Sequence, residues 1–473
     1  MSRSKTLFNN TLIFTISNFA SKVLGFLMLP FYTRVLTREE FGSSDLVILT
    51  VGLLIPLITI SMSEGVLRFT LDEKEDNKQV FSFGLKLIGA GFILILMLYP
   101  LISMIMAIKE YIILFYLLYI SQALNLYCNQ FVRGINKIKL IGYVGVIQTI
   151  VTVLSNVILL AVCNFGIEGF LISIVLSNSI ALLTLFFWGG LGKYISLFAP
   201  INKDLQREML KYSIPLTPNR LSWWLNSSAN KYIISGYSSI AELGLFSAAS
   251  RIPSILITFQ GIFIQAWQLS AIKEYDSKDS VDFFSNVYKL YNITMLMGCS
   301  LLIFFIKPIS SFLFGPDFST AWKLVPFLLV AVIFGALIGF LNSINLAVKK
   351  TKTLFMAVLS GASLGLLLNF IFVPKYGAMA TSISTAVSFF TIWLIRLVDT
   401  QKYMRLKVSY LNDSISYLLV VSQAIIIITF DMPQATLYSG FCTVLIMVFN
   451  YKTLMLIAKF ITQKINQIIN NEK

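Results

Sequence analysis

The sequence predicts an all-α polytopic membrane protein with about fourteen transmembrane helices: two parallel six-helix lobes followed by two C-terminal helices. Three observations carry this prediction: an extreme composition, a ladder of apolar stretches, and an alternation of basic loops. Of the 473 residues, 57% are hydrophobic and 12% charged, against about 25% charged in an ordinary globular chain. Mean hydropathy is +0.80. A soluble fold of this size cannot hide that much apolar surface.

A membrane-crossing helix needs about 20 mostly apolar residues. Such stretches centre on residues 11–32, 45–66, 81–106, 110–130, 140–162, 168–189, 212–235, 242–270, 284–306, 323–347, 353–373, 377–397, 409–430 and 436–458. The first follows Arg3 and Lys5, holds Asn18 and Lys22, and lacks an A-x-A cleavage signal. It reads as an uncleaved span. The seventh is the most polar, with Pro218, Asn219, Arg220, Asn226, Asn230 and Lys231. It is retained because losing it breaks the loop-charge alternation. With the N-terminus in the cytoplasm, inner segments hold 25 of the 37 basic residues and outer segments hold 6. That bias predicts both termini inside and an even number of spans. The net charge of +15 then reflects cytoplasmic loops, with no nucleic acid implied. The longest loop, near residues 190–211, is too short for a soluble catalytic domain.

An internal repeat supports the two lobes. Glu40-Phe41-Gly42 matches Glu242-Leu243-Gly244. Lys137-x-Lys139 with Asn156 matches Lys350-x-Lys352 with Asn369, and Gly166, Ser173 and Ser177 match Gly377, Ser384 and Ser388. The offsets place residues 1–200 over residues 201–405, leaving 406–473 as two extra helices and a tail. Six spans per lobe make the repeats parallel. Transporters built this way hold substrate between the halves and alternate access by rocking.

Several function classes fall away. The chain has no histidine, so it holds neither a Ser-His-Asp triad nor a His-ligated metal. Its four cysteines, Cys128, Cys163, Cys299 and Cys442, are far apart in apolar stretches and read as small buried hydrophobes. Gly361-Ala362-Ser363-Leu364-Gly365 fits G-x-S-x-G, but mid-span it reads as close helix packing, as do Gly335 and Gly339.

Ionisable groups inside spans are expensive and mark function by default. The basic ones are Lys22, Lys86, Arg220, Lys231, Arg251 and Lys289, and acids are scarce, Glu64 and Asp45 being the exceptions. Lys22 lies about eleven residues into its span, roughly 16 Å deep. Arg220 and Arg251 also lie well inside. Lys86, Lys289 and Lys231 are near span ends and can snorkel. Substrate-binding candidates are therefore Arg220, Arg251, Lys22, Lys231 and Lys86, with Glu64 as an ion-pair or coupling partner. Gln122, Asn125 and Asn129 share a helical face, and Gln265 follows Arg251 and Thr258 at a spacing of seven. With Trp223, Trp224 and Asn226 they suit a sugar: amides satisfy hydroxyls, and indoles stack on apolar sugar faces. The competing reading is that the amides glue helices together.

Two motifs carry a family resemblance: Leu29-Pro30-Phe31-Tyr32-Thr33-Arg34-Val35-Leu36 with Glu40-Phe41-Gly42, and Ser222-Trp223-Trp224-Leu225-Asn226 leading to Lys231-Tyr232-Ile233-Ile234. Over the whole chain the sequence resembles Wzx-type oligosaccharide flippases, the polysaccharide biosynthesis branch of the multidrug/oligosaccharidyl-lipid/polysaccharide exporter superfamily. Relatives commonly carry an Asp-Arg pair where this chain has Asn230-Lys231, so the cation is kept and the acid lost. The resemblance implies a transporter, not an enzyme, that moves an undecaprenyl-pyrophosphate-linked glycan (an O-antigen or capsule-type unit) to the outer leaflet. It implies no cofactor and leaves H+, Na+ or the membrane potential open as the coupling source. Membrane lipids, a glycan polymerase and glycosyltransferases are the implied partners. A lipid-linked peptidoglycan precursor flippase and a multidrug antiporter of the same superfamily are the alternatives.

Overall fold

The computed structural model describes residues 24–72, 75–196, 202–275, 279–348, 352–431 and 433–456. Among these residues all regular structure is helical. Hydrocarbon offers the backbone no hydrogen bonds, and a helix satisfies its own N–H and C=O groups within one segment. Each of the fourteen expected spans contains helix, the first only at its described end. Among the described residues, nine helices are long and apolar enough to cross a membrane by themselves, or ten counting one bent pair. By contacts the chain divides into two compact units, Met1–Gly236 and Tyr237–Lys473.

The first unit contains α1 (Leu29–Val35), α2 (Arg38–Ile58), α3 (Met62–Thr70), α4 (Asn77–Met97), α5 (Ile112–Gly134), α6 (Ile138–Asn156), α7 (Gly166–Gly189), α8 (Lys203–Ser213) and α9 (Leu216–Tyr237). The expected second span, 45–66, is in fact two helices. It starts early because Thr37 and Glu40 form a reciprocal cap: Glu40 N donates to Thr37 Oγ1 at 3.2 Å, and Thr37 N to Glu40 Oε2 at 2.8 Å. It breaks because Pro56 lies inside α2 and Ile60 and Ser61 take left-handed φ of 51° and 50°. A β-branched residue in that region is uncommon. The loop expected at 190–211 also holds a helix, α8. It buries Leu205, Met209 and Ser213 and packs on α3.

The second unit contains α10 (Ile240–Ala249), α11 (Arg251–Glu274), α12 (Ser280–Phe304), α13 (Ile306–Leu313), α14 (Val325–Ala347), α15 (Lys352–Thr400), α16 (Tyr410–Thr429) and α17 (Gln434–Phe449). The expected eighth span is bent by 43° between α10 and α11. Pro253, lacking an N–H, cannot bond the Ala249 carbonyl, and its ring crowds that carbonyl. Helix α14 is apolar all round and the most enclosed, as such a pattern requires. Helix α15 is two arms meeting at Gly377, φ 54°. Close packing at Gly361 and Gly365 draws the arms together: Ser388 Oγ donates to the Gly361 carbonyl at 2.7 Å, and a Cβ on Gly361 would meet the Ser388 carbonyl at 2.8 Å. Buried Gln423 holds α16 and α17 to α12, accepting from Ser300 Oγ at 2.8 Å and donating to Ser439 Oγ and Thr443 Oγ1 at 3.0 Å. Cys128, Cys299 and Cys442 are buried; Cys163, expected to be buried, is exposed, at the end of a π-helical turn (Val157–Val162).

Matched sequence motifs do matched work. In the first unit, Glu40 Oε1 accepts from Ile167 N at 3.3 Å, beside Gly166 with φ 52°. In the second, Glu242, three residues after its own cap Ser239, accepts through Oε2 from Ala378 N at 2.9 Å, beside Gly377. A glutamate near one helix start thus ties the start of another helix at a left-handed glycine, where a side chain would be strained. Asn156 and Asn369 are both buried. Lys350, of the same match as these asparagines, lies outside the described residues.

Glu40→Ala and Glu242→Ala should each remove a charge-assisted bond and cost about 1.5–3 kcal/mol. Thermal unfolding of the detergent-purified protein measures this. Glu→Gln keeps an acceptor and should cost less at both positions.

Candidate functional site

The candidate site lies in the first unit, where α2 and α3 run antiparallel to α9 and polar groups bridge the seam. Lys231 Nζ donates to Asp45 Oδ2 at 2.7 Å. Thr50 spends its own proton on the Leu46 carbonyl at 2.7 Å and takes one from Tyr232 OH at 2.6 Å. Trp224 Nε1 donates to the Leu49 carbonyl at 3.0 Å, and its indole packs on the Tyr232 ring at 5.5 Å. Further along, Ser61 meets Thr217 at 3.2 Å, and Arg220 pairs with Glu64. These contacts explain why the most polar expected span is a helix. Thr217, Arg220, Trp224, Lys231 and Tyr232 turn to α2 and α3 or the turn between them, and Pro218 sits in the first turn, where the missing N–H is not needed.

The two ion pairs differ in character. Lys231 and Asp45 are 19% and 12% exposed, whereas Arg220 and Glu64 are 53% and 26% exposed. A largely enclosed pair is costly to break, because one partner's loss strands the other charge. The Arg220–Glu64 pair is less enclosed by the protein. Lys231 is therefore enclosed with its partner, and Arg220 lies in the more exposed of the two pairs.

The structure changes part of the sequence-based picture. The two intramembrane acids that the sequence offers are both used: Glu64, the candidate ion-pair partner, meets Arg220, and Asp45 meets Lys231, which was given as able to snorkel. The acid lost at Asn230 has a counterpart in Asp45, on another helix. Asn125 is buried, donating to Asn178 Oδ1 at 3.1 Å, while Asn129 donates to Asn125 at 3.0 Å and Gln148 to Asn178 at 2.9 Å. This amide cluster joins α5, α6 and α7, which fits the helix-glue reading. Gln148 and Asn178 were missed because single amides in apolar spans carry no spacing signal. Gln122 is half-buried and Lys86 exposed on α4. In the second unit, Arg251 opens α11 at its bend, and Arg251 and Gln265 are both exposed. Arg251 forms no ion pair among the described residues. Lys22 and the side chains of Trp223 and Asn226 lie outside the described residues.

A family model described as polysaccharide biosynthesis protein matches residues 7–268, more than half of the chain. The chain belongs to this family. No curated protein matches it in sequence. Among solved structures, it is similar to the lipid II flippase MurJ in an inward closed conformation, with a TM-score of 0.69, 16% identity, and 94% of this chain and 100% of that one covered. A multidrug resistance MATE family transporter of the MOP superfamily also matches in its inward-facing conformation, with a TM-score of 0.63, 12% identity, and 80% and 94% covered. An outward-facing MATE structure matches with a TM-score of 0.56, 15% identity, and 83% and 94% covered. The polysaccharide biosynthesis family thus shares its fold here with transporters of that superfamily.

Asp45→Asn and Lys231→Gln should each destabilise the purified protein by about 3 kcal/mol, and the double variant by less than the sum. Thermal unfolding of the four proteins closes the cycle. Additive losses would mean that the pair does not couple.

Proposed function

We propose that the protein is a flippase. It moves a polyprenyl-pyrophosphate-linked oligosaccharide from the inner to the outer leaflet of a bacterial plasma membrane by alternating access. The supporting observation is the pair of accessible arginines in a polysaccharide biosynthesis family chain: Arg220, weakly engaged with Glu64, and Arg251, exposed at a helix bend. A pyrophosphate diester carries about two negative charges. An arginine that leaves a solvent-reached carboxylate gives up little and gains a bidentate phosphate partner. Lys231 instead braces the helix that presents Arg220. Trp224 is likewise committed to the backbone of α2 and positions α9.

Alternating access in this reading moves one lobe against the other, and 406–473 adds two helices. Both termini are cytoplasmic. The protein does no covalent chemistry and needs no cofactor. With the inside negative, two negative charges moving outward gain about 4–5 kcal/mol per 100 mV, so the potential can drive the cycle with or without H+ or Na+. A glycan polymerase and glycosyltransferases acting on the same glycan are the natural partners. Likeness to a lipid II flippase over nearly the whole chain supports a second reading, a peptidoglycan-type lipid-linked precursor as cargo. A multidrug antiporter is disfavoured because accessible arginines repel cations.

Proteoliposomes loaded with a lipid-pyrophosphate-linked saccharide test this. Arg220→Ala and Arg251→Ala should each slow translocation tenfold or more, while Arg220→Lys retains part of it. Imposing an inside-negative potential should speed the wild type. Efflux of a cationic dye without saccharide movement would overturn the reading, and preference for a peptidoglycan precursor would favour the second.

A further inference from the structure

The turn between α5 and α6 borders an open cavity of about 510 Å³ against the end of α7, lined by Asn136, Lys137, Lys139, Tyr143 and Trp188 with two aliphatic neighbours. Lys137 Nζ donates to the Gly189 carbonyl at 2.9 Å, which fixes the turn to α7 and leaves two of its three protons to offer. The side chains of Asn136, Lys139, Tyr143 and Trp188 make no hydrogen bond among the described residues. Every one of these groups carries an N–H or O–H donor. No lining residue is acidic, and the chain has no carboxylate between Glu110 and Glu168 or between Glu168 and Asp204. The lining is therefore rich in donors and cationic, with no acidic residue in it.

A second observation sets the class of ligand. Tyr143 and Trp188 are 64% and 63% exposed, as aromatic residues are at a membrane–water interface. From them an exposed apolar stripe runs away from the recess: Val146, Ile150 and Leu154 on α6, with Leu183 and Phe187 on the neighbouring α7. A small anion would use only the recess. An amphiphile would use the recess and the stripe together. Basic pockets between membrane helices at the cytoplasmic side are suited to anionic headgroups, and the loop charges assign this end to the cytoplasm. We propose that the recess binds the phosphate headgroup of an anionic phospholipid, with Lys137 and Lys139 on the phosphate and the acyl chains along α6 and α7.

Native mass spectrometry of the full detergent-purified chain, titrated with phosphatidylglycerol, tests this directly. Wild type should retain phosphatidylglycerol over phosphatidylcholine. Lys139→Gln should weaken retention about fivefold, Lys137→Gln with Lys139→Gln further, and Lys139→Arg should restore it. Lys139 makes no contact that the fold needs, so its variant carries the test if Lys137→Gln loosens the turn. Equal retention of phosphatidylglycerol by wild type and Lys139→Gln would overturn the site. Thermal stabilisation by inorganic phosphate equal to that by phosphatidylglycerol would overturn the lipid assignment and leave a free-anion site.

Discussion

The structure depends on one constraint: a polar group inside a membrane span must find its partner within the protein. Water is absent there, and an unsatisfied donor or charge costs several kcal/mol. The polar residues therefore gather at helix seams. Asp45 meets Lys231 and Thr50 meets Tyr232 between α2 and α9. Asn125, Gln148 and Asn178 join three helices. Gln423 serves three partners in the second unit. With little hydrophobic force between helices in lipid, such bonds and close packing decide which helices are neighbours.

The same constraint separates enclosed charge pairs from exposed ones. A cation locked to an enclosed carboxylate is a brace, because its release strands two charges. A cation in an exposed pair is less enclosed by its neighbours. Lys231 belongs to the first kind and Arg220 to the second, although both lie on α9 and look alike in sequence. The helix breaks add a further layer. Pro56 with left-handed Ile60 and Ser61 interrupts one span, and Pro253 bends another directly at Arg251.

The duplication carries the design between the two units. Glu40 and Glu242 each cap their own helix or follow its cap and tie a second helix at a positive-φ glycine. A short motif match at a constant offset thus corresponds to one recurring device, a long-range staple between the start of one span and the start of another.

The sequence alone determined the all-helical class, the fourteen stretches and the candidate cations. Apolar length and basic-loop bias are local properties that bilayer physics reads one segment at a time. It also marked the close packing at Gly361 and Gly365, because glycines four apart share a face. Only the tertiary structure decided the partners: that Lys231 turns to Asp45, that Glu64 meets Arg220 in a more exposed pair, and that Asn125 is bound to Asn178. Partner choice is a property of helix neighbours and rotations, set by packing between residues more than fifty positions apart. No periodicity within one helix encodes it.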